Sequence, residues 1–123
     1  MITPFINDMF SIFYKAFQNI CPEKDVKIQW ANDIDPVDGE DVSGVTHFVK
    51  DGTIEIEILT RQSVTEAVET LIHELAHVIV GPKNEHGKEF EDACDALVKE
   101  YTRILDEDFA DCVTFELSTT EEI

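Results

Sequence analysis

Positively charged residues are scarce in this 123-residue chain. Nine Lys and Arg stand against 27 Asp and Glu, a formal net charge of −18. A chain this acidic repels phosphate backbones, and it has no basic stripe that could follow DNA or RNA. Direct nucleic-acid binding is therefore not expected, and any link to nucleic acid would need a bridging protein. Cysteine is also sparse. Cys21, Cys94 and Cys112 are odd in number, widely spaced and free of any C-x-x-C. That argues against a disulfide framework and against a zinc ribbon, and for reduced thiols. No hydrophobic run is long enough to span a bilayer. The apolar start MITPFINDMFSIFYKAFQNI is interrupted by Asp8 and Lys15, and lacks a basic leader and a small-residue cleavage site. Gly/Ser-rich linkers, Pro-rich linkers and internal repeats are missing too. These absences leave one soluble domain, expected in the cytoplasm and off the membrane, with its oligomeric state open. At 43% apolar residues, the chain can build a real core.

What is present reads as alternating helices and strands. Thr3-Pro4 has the form of an N-cap followed by proline at the first helical position. Phe5, Ile6, Met9, Phe10, Phe13, Phe17 and Ile20 then recur at helical spacing until Cys21-Pro22. Val26, Ile28 and Trp30 alternate with Lys27 and Gln29, as in a strand. The stretch from Asn32 to Gly44 reads as a solvated acidic loop, since Pro36-Val37 break the spacing that a calcium loop would need. Asp51-Gly52 between GVTHFVK and TIEIEIL signals a hairpin. A tight two-residue turn would set Val49 opposite Ile54, His47 opposite Ile56 and Val45 opposite Ile58. His47 would then lie among aliphatics on the core side, with Thr46, Phe48, Glu55 and Glu57 on the other. Ser63-Val64-Thr65-Glu66 is a capping box that opens a helix with a wide apolar face, stopped by Gly81-Pro82. A third helix starts near Gly87, with Phe90, Ala93, Cys94, Leu97, Val98, Tyr101, Ile104 and Leu105 as its stripe. Cys94 falls within that stripe and reads as packing. After Leu105 the chain carries seven acids and no base, with VTFEL (113–117) as a possible short strand. The organisation is a domain over 1–105 and an acidic tail over 106–123.

The chemistry is concentrated in HELAHVIVGPKNEHGKEF, residues 73–90. On a helix, His73 and His77 are i and i+4 and offer their rings to one ion from one face. Zinc accepts imidazole at about 2.0–2.1 Å in tetrahedral geometry, and a catalytic site keeps one position for water. Glu74 leans beside the metal and not onto it, so it can take a proton from that water. A shuffled chain of this composition would hold H-E-x-x-H in about one or two per cent of arrangements, and the capped amphipathic helix around it weakens the chance reading further. A third ligand is needed. The metzincin spacing would place it at Lys83 and so fails. His86 is the preferred candidate, because zinc often takes three histidines; Glu85 and Glu89 are its rivals.

H-E-L-A-H, a short connection and H-G-K-E-F opening a helix resemble the SprT-like (Spartan-type) metalloprotease domain. The close match covers residues 73–90, with helix-level agreement from about 63 to 105. The resemblance implies a zincin-like minimal metalloprotease domain in which His73, His77 and His86 bind Zn2+ and Glu74 is catalytic. It also implies a preceding helix and small sheet. Family members often carry a cysteine-rich zinc ribbon or another DNA-binding segment, whereas this chain ends in an acidic tail.

The expected fold is α+β: an N-terminal helix, a small antiparallel sheet, the H-E-x-x-H helix and a following helix. The expected function is zinc-dependent hydrolysis of peptide bonds in a protein or peptide substrate, with the hairpin edge aligning an extended chain. For oxyanion donors beyond zinc, Tyr101 and His47 are the candidates, although both fit core patterns. Two other readings remain: a non-catalytic zinc-stabilised acidic interaction module, such as a DNA mimic, and a zinc hydrolase of a non-protein substrate.

Overall fold

The computed structural model describes residues 9–82 and 86–108. Their elements run α1 (Met9–Ile20), β1 (Val26–Ala31), β2 (Gly44–Phe48), β3 (Ile54–Leu59), α2 (Val64–Val80) and α3 (Lys88–Asp108). The Thr3-Pro4 helix start and the VTFEL segment lie outside the described residues.

The aromatic stripe of α1 is buried at Phe13 and Phe17, flanked by Ile12 and Ala16. This face packs antiparallel on α3. The Asn19 amide donates to Glu100 Oε2 at 2.8 Å, Phe13 stacks on Tyr101 at 4.1 Å between ring centroids, and Ile104 is buried with Ile12 and Ala16. Beyond this seam Arg103 pairs with both Glu100 and Glu107 along the solvent side of α3, which holds the Glu100 carboxyl down at about 2. Cys21 and Cys94 are free thiols packed into the core region.

The sheet has the order β1-β3-β2 and is mixed, not antiparallel. β1 runs parallel to β3, with Val26 opposite Ile54 and Ala31 opposite Leu59. A parallel pair needs a connection of a dozen or more residues. The acidic loop after Ala31, together with β2 and its turn, supplies it. Part of that loop folds on itself, as Val37 and Glu40 exchange backbone hydrogen bonds of 2.9 and 3.0 Å around Asp38 and Gly39, both at positive φ.

β2 and β3 form the expected hairpin in a register one residue away from the one that a two-residue turn would impose. Phe48 lies opposite Ile54, Thr46 opposite Ile56 and Gly44 opposite Ile58. The cause is the turn. Val49 donates to Thr53 O at 2.9 Å and Gly52 donates to Val49 O at 3.0 Å, so three residues, not two, form the loop. Gly52 takes φ +95, the left-handed position that closes such a three-residue hairpin. A one-residue slip sends every side chain to the opposite face. His47 is therefore not among aliphatics: it is exposed on the outer face, where Nε2 meets Glu57 Oε1 at 2.8 Å. Thr46 and Gly44 turn inward instead.

α2 is the central helix and touches β2, β3, α1 and α3. Its capping box forms as written: Glu66 N donates to Ser63 Oγ at 3.1 Å, and Ser63 N donates to Glu66 Oε1 at 3.3 Å. At the other end Gly81 (φ +92) donates to His77 O, and Lys24 Nζ donates to Val78 O at 2.7 Å. The core lies between Ile56 and Ile58 of the sheet, Leu71, Leu75 and Val78 of α2, and Phe90 and Leu97 of α3.

The sheet comes close to α2 at Gly44. A Cβ there would lie 2.4 Å from Thr70 Cγ2 and 3.3 Å from Glu74 Cγ. Gly44→Ala should accordingly cost about 1–3 kcal/mol, the usual range for overpacking. Gly87→Ala, where an added Cβ meets nothing within 4 Å, should be close to neutral in the same urea titration. Equal stability of Gly44→Ala and the parent would refute this closeness of β2 and α2.

Candidate metal centre

His73 and His77 stand one turn apart on α2, both half-buried, with Nε2 atoms 3.1 Å apart. One turn after His77 the Gly81 cap ends the helix, and the chain returns so that His86 stands two residues before α3. His86 Nε2 lies 3.0 Å from His77 Nε2, and the ligand atoms of the three residues all fall within 4.8 Å of one another. Around a tetrahedral ion with bonds of about 2.0–2.1 Å, donor atoms sit about 3.3–3.4 Å apart, close to what is seen.

Hydrogen bonding alone does not account for this convergence. An imidazole Nε2 carries either one proton or one lone pair. His77 Nε2 therefore cannot accept from one neighbour and donate to the other. Three lone pairs aimed at one cation satisfy all three rings. Imidazole suits Zn, Cu, Fe and Ni, so the donor set fits a transition-metal ion of borderline softness.

Phe90 forms the floor. Its ring centroid lies 4.9, 4.8 and 4.8 Å from those of His73, His77 and His86. Such an apolar contact on all three rings restrains their orientation and keeps water from one side. Burial lowers the basicity of His73, with the charge on His86 adding to it. His77 is pushed down to about 4, by burial first and then by His73 and His86. Both rings are thus neutral at neutral pH, the state in which imidazole binds a metal.

Glu74 is the one buried charged side chain among the described residues, 6% exposed. It points from α2 toward β2, where the Thr46 hydroxyl donates to Oε1 at 2.8 Å. Burial pushes its carboxyl up, and the Thr46 hydrogen bond and His86 offset part of that. Carboxylate and histidines open onto one cleft of about 820 Å³, whose other walls include Val37, Val42, Phe48 and Pro82. A recess of about 380 Å³ continues past Glu74 toward Glu66 and Glu69.

The free edge of β2 borders this cleft. Leu59 donates to Ser43 O and Val49 donates to Thr53 O, so the odd-numbered residues of β2 bond to β3. Backbone groups alternate along a strand. Gly44, Thr46 and Phe48 therefore turn their N–H and C=O toward the open edge.

The structure brings His73, Glu74, His77 and His86 together. Glu89 is exposed on α3 and is not in the ligand cluster, while Lys83 and Glu85 lie outside the described residues. Neither oxyanion candidate lines the cleft. His47 faces outward, and Tyr101 is stacked on Phe13 between α1 and α3. A two-residue turn places Thr46 on the outer face, which hides its contact with Glu74, and Gly44 reads only as the end of the acidic loop. Phe90 reads from its spacing only as core, and its contact with all three histidines emerges from the fold. His86→Ala should lower metal affinity by about tenfold or more, a loss at least as large as those from altering groups behind the ligands, and Glu89→Ala should leave it unchanged. Metal analysis after competition with a chelator decides this, and the reverse order of losses would remove His86 from the site.

Comparison with known proteins adds an independent line. No curated protein and no solved structure matches the chain. The family model described as the SprT-like family matches residues 6–110. That span takes in α1, the sheet, the histidine cluster and all of α3, and the chain belongs to the SprT-like family.

Proposed function

We propose that this SprT-like chain is a zinc-dependent metallopeptidase with a zincin-like centre formed by His73, His77 and His86. The observation that carries the reading is a buried, hydrogen-bonded carboxylate next to three converging imidazole nitrogens, on a cleft that an open sheet edge borders. Zinc, when bound, supplies a Lewis acid that polarises a carbonyl and makes water more acidic.

The chain's own residues do the rest. An extended substrate lies along β2 and pairs with the backbone of Gly44, Thr46 and Phe48 by strand addition. Its scissile carbonyl then faces α2. Glu74 accepts a proton from the attacking water and returns it to the leaving amine, which is general base and then general acid catalysis by one carboxyl. Burial supports that dual use, because it raises the carboxyl toward the pH at which both forms are accessible. Phe90 and the walls around it exclude competing water from the ligand side. The charge of −18 disfavours nucleic acid as a direct ligand and favours neutral or basic polypeptide.

Glu74→Gln tests the reading. Gln is nearly isosteric and Glu74 is not among the converging ligands, so fold and zinc content should stay as in the parent. Hydrolysis of an unfolded protein such as casein should fall by about 10²–10⁴-fold, the contribution of general acid–base catalysis. Equal cleavage by both forms would exclude Glu74 from the mechanism. A zinc-loaded parent that cleaves nothing would favour the acidic interaction module. Loss of zinc from the variant would make Glu74 a ligand.

A further inference from the structure

Thr46 is at the centre of β2, opposite Ile56 of β3, with its side chain on the face that meets α2. Its hydroxyl is 2.8 Å from Glu74 Oε1 and 3.4 Å from the Glu74 carbonyl oxygen. A hydroxyl has one proton to give. At these distances the carboxylate receives it, in a charge-assisted bond of the stronger kind. The β-branched side chain of threonine is stiff at χ1, so the donor is itself fixed on the strand. Gly44, two residues earlier, lets the strand come near enough for the contact, with the Glu74 stem 3.3 Å from where a Cβ would be.

We propose that Thr46 is the positioning residue for Glu74. Its hydroxyl ties Oε1 to β2 and thereby turns Oε2 toward the cleft, where the water's proton is taken. The carboxyl otherwise swings on a flexible stem, with several orientations open to it. The strand that would bind substrate is the same strand that aims the base. The two tasks use different directions of the strand: backbone of Gly44, Thr46 and Phe48 at the open edge for substrate, Thr46 hydroxyl on the inner face for Glu74. This inference rests on the peptidase reading above.

Thr46→Val keeps the shape and removes the donor, whereas Thr46→Ser keeps the donor. Thr46→Val should lower kcat by about 10–100-fold, as expected when the group behind a functional residue is removed, with KM within about twofold of the parent. Thr46→Ser should restore most of kcat. Zinc affinity, measured by chelator competition, should be the same in all three proteins, since Thr46 touches none of the histidines' ligand atoms. A further readout does not depend on activity. Thr46→Val should lower Tm in the parent, where it leaves a buried carboxylate short of a partner, and should lower it by less than half as much in a Glu74→Ala background.

A Thr46→Val protein that turns over like the parent would overturn this proposal and leave the peptidase reading standing. So would a rise in KM alone, a loss of zinc, failure of serine to rescue, or equal Tm shifts in the two backgrounds. A zinc-loaded parent that hydrolyses no polypeptide would overturn the peptidase reading and this inference with it, even if the Tm coupling were present.

Discussion

The approach of β2 to α2 is the contact on which the site depends. At Gly44 the two elements are so close that a single methyl would strike Thr70. Two residues later the gap is spanned by the Thr46–Glu74 hydrogen bond. From there the strand runs on to Phe48 and forms one wall of the cleft, with α2 as the other. A sheet set one ångström further out would lose the hydrogen bond and loosen the carboxyl. It would also widen the cleft between β2 and α2. The hairpin's three-residue turn is part of the same constraint, because only its register puts glycine and threonine inward at this place.

The histidine cluster depends on a different set of contacts. Two of its members are fixed by helix geometry, since i and i+4 on α2 leave no other arrangement. The third is fixed by packing. The Gly81 cap ends α2, and α3 returns along it with Phe90, Ala93 and Leu97 in the shared core. Phe90 joins the two systems, as its ring is in the core and also touches all three imidazoles. Substitutions at Phe90 would therefore affect stability and ring orientation together, unlike changes at exposed His86. Local periodicity places two of the three histidines, and helix–helix packing places the third.

This division explains what could be read from the sequence. The capping box, the Gly81-Pro82 stop and the stripe of α3 are local signals, and each appears where its residues place it, except that Val98 of the stripe is exposed. The three histidines follow from those helices and from the short connection between them. Sheet topology is not local in this sense. Nothing in Val26–Ala31 says which strand will be its neighbour, and the parallel pairing with β3 depends on how a long acidic loop crosses over. The hairpin was legible as a hairpin, but Asp51-Gly52 serves equally well in a two- or a three-residue loop. That single-residue ambiguity reversed the two faces of β2. It places His47 among aliphatics, where the structure exposes it, and hides Thr46, which bonds to Glu74.

Charge supplies the last step. A chain with 27 acids has no difficulty keeping carboxylates in water, and the described ones are exposed or half-buried, with Glu74 the exception. Removing a carboxylate from water is costly unless hydrogen bonds replace its solvation. A surface position for Glu74 would have avoided that cost with no loss to helix α2, since neighbouring Glu69 manages it on the same helix. The cost is offset by a donor brought in from another element, β2, at an approach distance that makes even alanine costly at Gly44. Packing for stability alone would place a leucine there, as it does one position later at Leu75. Two elements have instead been shaped around an acid, and a buried titratable group in a cleft beside metal-competent ligands supports the proposed peptidase centre.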